Sequence, residues 1–172
     1  MSPKIPPVLV FAIGNESRGD DALGPLVLRE LDDWLNSGEG RREKGEVFVE
    51  QFELIEDFQL QIEHAMDMKD RKLVLFIDAG MDTPAPFSFY RAQTSNEPVL
   101  YSHALAPEVL LNVYAQFYSQ ASPDAFVLCI RGEKFELGEA PSPQAEENLA
   151  LALHFAKQRL LEPEAVAWIK HQ

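Results

Sequence analysis

Val8–Leu31 reads VLVFAIGNESRGDDALGPLVLREL, and this stretch decides how the rest of the chain is read. Val8 to Ile13 is a short unbroken apolar run, the pattern of a strand covered on both faces. A loop bounded by Gly14 and Gly24 follows. Leu23, Leu26, Val27, Leu31, Trp34 and Leu35 then recur at helical spacing, and the small residues of NSGEG end that helix. A strand, a glycine-bounded loop and a helix make the opening of an α/β unit. Two adjacent aspartates, Asp20 and Asp21, sit in its mouth.

The same alternation continues along the chain. A strand is expected over Val47 to Phe52. A helix is expected over Glu56 to Met68, with Phe58, Ile62, Ala65 and Met66 inward. KLVLFIDAG is a buried strand closing on Asp78. FSFYRAQ alternates like a half-buried strand, and only a short turn separates it from its predecessor, so it is expected to run antiparallel. Pro107 to Tyr118 reads as a helix with Val109, Leu110, Val113 and Phe117 on one face, and AFVLCI is the last strand. Ser142 as N-cap with Pro143 at the first helical position opens a long final helix, whose inward stripe is Leu149, Ala152, Leu153, Ala156 and Leu160. The expected fold is a three-layer α/β/α sandwich, a single domain over residues 1–172, with a mostly parallel five-stranded sheet and one antiparallel strand.

Composition narrows the function. Acidic residues number 28 against 15 basic ones, a formal net charge of −13. RREK, the densest basic cluster, itself holds a glutamate, so a nucleic-acid backbone is an unfavourable partner. The lone cysteine, Cys129, lies within an apolar run and suits a core position in a reducing compartment. No signal-peptide core or apolar run of membrane-spanning length is present, so the expectation is a cytoplasmic protein off the membrane, with a monomer as the default.

In α/β folds the functional crevice lies beyond the carboxyl ends of the parallel strands. Three chemically able groups fall there: the loop carrying Asn15, Glu16, Arg18, Asp20 and Asp21; Asp78 at the end of its strand; and His103 in YSHALAP. Two carboxylates and an imidazole are a donor set for a divalent transition metal such as zinc or nickel. Of the aspartate pair, Asp20 is assigned to helix capping and Asp21 to chemistry. Arg18 is either a guide for a substrate or a solvated loop residue. His64 and His154 fall in expected helices and His171 at the tail, without a role. Gly14 and Gly19 do not make a phosphate loop, since no Lys-Ser/Thr follows.

These segments together resemble the [NiFe]-hydrogenase maturation endopeptidases. GNESRGDDALG is similar to the family's Gly-Asn followed by Arg-Gly-Asp-Asp-x-x-Gly, LVLFIDAG to its strand ending in Asp-Ala, and SHALAPEVLL to its histidine just before a helix. CIRGEKFELGEAPSPQAEENL resembles its Phe-Glu-x-Gly segment and the opening of its last helix. The likeness runs from about Val8 to Leu160, and EDFQLQIEHAMDM resembles the branch serving bidirectional, NAD-coupled hydrogenases. EQFELIEDF departs from the Gly-Thr loop of many members.

The resemblance implies a phosphorylase/hydrolase-like sandwich. It also implies an endopeptidase that removes the C-terminal extension of a hydrogenase large-subunit precursor after nickel insertion. Asp21, Asp78 and His103 match the family's metal-binding and catalytic positions. Nickel is then substrate-borne, and another divalent metal is expected to occupy the site in isolation. Competing readings are a receiver-like domain with Asp78 as phospho-acceptor, a peptidyl-tRNA hydrolase sharing the Gly-Asn, and a catalytically silent binding protein.

Overall fold

The computed structural model describes residues 2–95 and 105–172. The strands are β1 Val8–Ile13, β2 Phe52–Asp57, β3 Leu73–Gly80, β4 Phe87–Arg91 and β5 Asp124–Arg131. They form one sheet in the order β2-β1-β3-β5-β4. β2, β1, β3 and β5 are parallel, and β4 runs antiparallel to β5. The expected class is therefore the observed one. This order also departs from the all-parallel 2-1-3-4-5 sheet of receiver domains, which removes the structural ground for that alternative.

The helices are α1 Leu23–Asn36, α2 Glu39–Lys44, α3 Glu46–Val49, α4 Pro107–Tyr118, α5 Pro143–Leu161 and α6 Ala165–Ile169. Strand alternation divides the core into two layers. Val10 and Ala12 of β1, Leu75 and Ile77 of β3, and Phe126 and Leu128 of β5 pack with α1, α5 and Trp168. Leu9 and Phe11, Val74 and Phe76, and Ala125 and Val127 pack on the other face with Leu110, Leu111 and Tyr114 of α4. β1, β3 and the middle of β5 are buried on both sides, hence their continuous apolar sequences.

Three expectations are corrected. The strand expected at Val47–Phe52 is α3 followed by the start of β2, and β2 extends to Asp57. β2 is an edge strand, so only its Phe52 is buried, and Glu53 and Glu56 interrupt the apolar signal. The helix expected over Glu56–Met68 begins inside β2 and shrinks to a 3-10 turn, Ile62–Ala65. Phe117 of α4 points outward at 71% exposure, and Leu111 and Tyr114 face the core in its place.

α4 and α5 start where expected. Ser142 caps α5, its hydroxyl accepting from the Ala145 amide at 3.2 Å. The sequence reading did not anticipate α6. Its Trp168 is fully buried against Phe89 and Phe126, and its indole N–H donates to the Arg159 and Glu162 carbonyls. Among the described residues no helix is long and apolar enough to cross a membrane.

Candidate active site

β1 connects to β2 on one side and leads by way of β2 to β3 on the other, so the order reverses between β1 and β3. A crevice opens at such a reversal beyond the strand ends. The loop after β1 and the last residues of β3 supply its walls. α1 is drawn tightly onto this point by Gly24: a Cβ there would lie 2.5 Å from the Ile13 carbonyl oxygen and 2.8 Å from that of Ile77. Only glycine allows the helix to start so near both strands.

Asp20 and Asp21 divide their labour, though not quite as the sequence suggested. Asp20 does not cap α1. Its carboxylate is fully buried and accepts from the amides of Glu133 (2.7 Å), Lys134 (3.0 Å) and Ser142 (2.7 Å), and from the Ser142 hydroxyl (2.9 Å). It ties the β1 loop to the segment after β5 and orients the residue that caps α5. Burial acts to raise its pKa, but the bonds from Glu133, Ser142 and Lys134 outweigh it and hold Asp20 below the usual carboxylate range. Its stabilising effect is thus complete above the ordinary aspartate range and is lost only in acid. Gly19 makes the join possible: it adopts φ +53°, and a Cβ would lie 2.3 Å from the Lys134 carbonyl oxygen.

Asp21 is only partly buried. One carboxylate oxygen accepts from the Asn15 amide at 3.0 Å. Burial raises its pKa, offset in part by the Asn15 bond and the Arg18 charge. Arg18 itself is anchored through a 3.4 Å bond to the Phe135 carbonyl.

Asp78 closes the apolar run of β3 and accepts from the Ala79 amide at 2.8 Å. Burial pushes its pKa up to about 7; the Ala79 bond opposes this and the Asp21 charge adds to it. The two aspartates therefore feel one another across the mouth of the sheet. Two partly desolvated carboxylates that repel each other suit a shared cation or a shared proton.

His103 lies outside the described residues. Among those described, no three His, Cys, Asp or Glu side chains gather as a metal-holding group. The chain is described again from Leu105, which packs on the α4 side of the core.

Two further side chains border Asp78: Cys129, expected from sequence only as a core residue, and Tyr90, which the sequence did not single out. Cys129 pairs with it in register on β5, and burial together with the Asp78 charge pushes its thiol up to about 11. It is neutral at physiological pH, consistent with a packing role. The Tyr90 hydroxyl, bonded to Glu108, is pushed up to about 12 by burial and the neighbouring Glu108, Cys129 and Asp78. Nothing in the linear pattern marks these neighbours: strand register brings Cys129 level with Asp78, and Tyr90, paired with Val127, comes from the adjoining antiparallel β4.

The elevated Asp78 pKa makes a stability prediction. Its folded value exceeds its unfolded one, so ionising it costs folding energy, a cost that is absent below pH ~4 and grows as pH rises towards about 7. In the presence of a chelator, Asp78→Asn is expected to gain roughly 2 kcal/mol relative to wild type between pH ~5.5 and ~8, at about 1.4 kcal/mol per pKa unit. Urea unfolding at the two pH values measures it, and an unchanged difference contradicts the proposed desolvation of Asp78.

This mixed five-stranded α/β/α sandwich is the fold of solved [NiFe] hydrogenase maturation proteases. The maturation protease HycI from Thermococcus kodakarensis KOD1 superposes with a TM-score of 0.65 at 18% identity, over 91% of this chain and 94% of that one. The hydrogenase maturating endopeptidase HybD from E. coli gives 0.65 at 19% identity, over 91% and 93%. HybD from Thermococcus kodakarensis gives 0.58 at 17%, over 88% and 97%. No family model and no curated protein matches the chain by sequence. At these identities the likeness establishes the fold.

Proposed function

We propose that this protein is an endopeptidase that removes the C-terminal extension of a [NiFe]-hydrogenase large-subunit precursor after nickel insertion. The observation that carries the reading is the placement of Asp21, in the loop after β1, and Asp78, at the end of the neighbouring β3, at the switch point. There burial first and the Asp21 charge second raise the pKa of Asp78. The shared fold with proteins described as hydrogenase maturation proteases supports it. So does the order of motifs, Asp21 after β1, Asp78 at the end of β3 and His103 before α4.

In this reading Asp21, Asp78 and His103 recognise the nickel that the substrate brings. A correctly loaded precursor offers a ligation that a nickel-free one lacks, so specificity rests on an interaction confined to the right substrate. Asp78, with a pKa of about 7, is matched to accept a proton from water attacking the scissile carbonyl. Asp21 is held in place by Asn15. Asp20 locks the loop that carries it.

The test is mass spectrometry of the precursor before and after incubation with the protein, with nickel content controlled. Nickel-loaded precursor is expected to lose a C-terminal peptide, and nickel-free precursor to persist at full mass. Equal shortening of both sinks the metal gate. Shortening of neither sinks the peptidase reading.

A further inference from the structure

Residues 56–67, EDFQLQIEHAMD, hold four carboxylates and no lysine or arginine. The segment divides its apolar side chains in two. Leu60 and Ala65 point inward, with Met68 just beyond, and all three are buried against the β1–β3 core. Phe58, Ile62 and Met66 point outward, at 71%, 49% and 59% exposure. The fold does not need the second set, and exposed large apolar groups gathered in one segment mark a contact surface.

The segment is also held in shape. The His64 Nδ1 accepts from the Gln61 amide at 2.8 Å, which places the proton on Nε2, 3.1 Å from an Asp57 carboxylate oxygen. The ring packs edge-on against Phe11 at 4.7 Å. A cavity of about 380 Å³ adjoins this surface, lined by Glu16, Glu56, Asp57 and Phe58 together with Asn15. Asn15 is the residue whose amide bonds Asp21, so cavity and candidate site share a wall.

We infer that this surface docks a segment of the partner polypeptide bearing both apolar and Lys or Arg side chains, seated beside the Asp21–Asp78 mouth. The inference rests on the peptidase reading for the identity of the partner, the large-subunit precursor. Charge selects that occupant. Glu56, Glu63 and Asp67 present one sign beside Asp57, which is bonded to His64, and Glu16, which is paired with Arg29, and the whole chain is −13. A second copy would bring the same charge to the same face, and nucleic acid would bring more of it. A basic, apolar segment meets both the carboxylates and the exposed rings, with the aromatic as anchor and the charges steering the encounter.

The test compares wild type with the Phe58→Ser/Met66→Ser double variant. Affinity is measured on nickel-free precursor at low and high salt, and processing on nickel-loaded precursor. Both replaced side chains are exposed, so the thermal midpoint is expected to hold. The double variant is expected to bind about tenfold more weakly or worse, and wild-type binding to weaken with salt. Affinity within twofold of wild type overturns the docking surface even where processing is normal, and the peptidase reading then stands. Binding that the variant loses, without shortening of loaded precursor by wild type, keeps the docking surface and sinks the peptidase reading. Absence of wild-type binding overturns the stated partner. A dimer in sedimentation that the double variant abolishes assigns the face to a second copy and overturns the inference as well.

Discussion

Replacing Asp20 with alanine is expected to cost about 3–5 kcal/mol, the range for removing one partner from a buried charged network. The side chain is fully buried and holds four hydrogen bonds from residues more than a hundred positions away. Its loss leaves the Glu133, Lys134 and Ser142 amides without their acceptor. It also frees the Ser142 hydroxyl from the orientation in which it caps α5. For a chain of this size the thermal midpoint is expected to fall by roughly 10 °C, at about 2–4 °C per kcal/mol. Asp20→Asn keeps the shape but turns an N–H₂ group towards amide donors, so it is expected to recover little. Gly132 leaves the room that Asp20 occupies, since a Cβ on Gly132 would lie 2.8 Å from that of Asp20. A midpoint within 2 °C of wild type for both variants would show that the loops are joined by their backbone bonds alone.

The second large effect concerns chemistry. Asp78→Asn is expected to slow precursor processing by about 10²–10⁴-fold, the usual contribution of a positioned general base. The fold is expected to survive, because the amide oxygen can still accept from Ala79 and the burial cost of a charge is gone. Wild-type processing is expected to rise with pH through about 7, as Asp78 loses its proton. Asp21→Asn removes the neighbouring negative charge, so the profile of its residual activity is expected to shift to lower pH. A folded Asp78→Asn variant that processes nickel-loaded precursor at the wild-type rate rules out Asp78 as base and as obligatory ligand.

Buried elements were the readable ones. β1, β3 and β5 announce themselves because a strand covered on both faces must be apolar throughout. α5 announces its start because a capping serine and a first-turn proline act within a few residues. β2 and the turn after it were misread for the converse reason. Edge position leaves β2 half exposed, and Phe58, Ile62 and Met66 are apolar without being core. A periodicity argument assumes that apolar side chains face inward, and it fails where they face outward.

The candidate site shows the same division. The sequence by itself determined which residues close the strands of an α/β unit, and so put forward Asp21, Asp78 and His103. It could not settle which aspartate of the pair is structural, because the partners of Asp20 lie beyond β5 and nothing local distinguishes two adjacent carboxylates. Nor could it place Tyr90 and Cys129 beside Asp78. Strand order and register decided those matters, along with the pKa of Asp78. Desolvation and charge proximity are sums over neighbours from distant parts of the chain, and only the folded arrangement brings those neighbours within range.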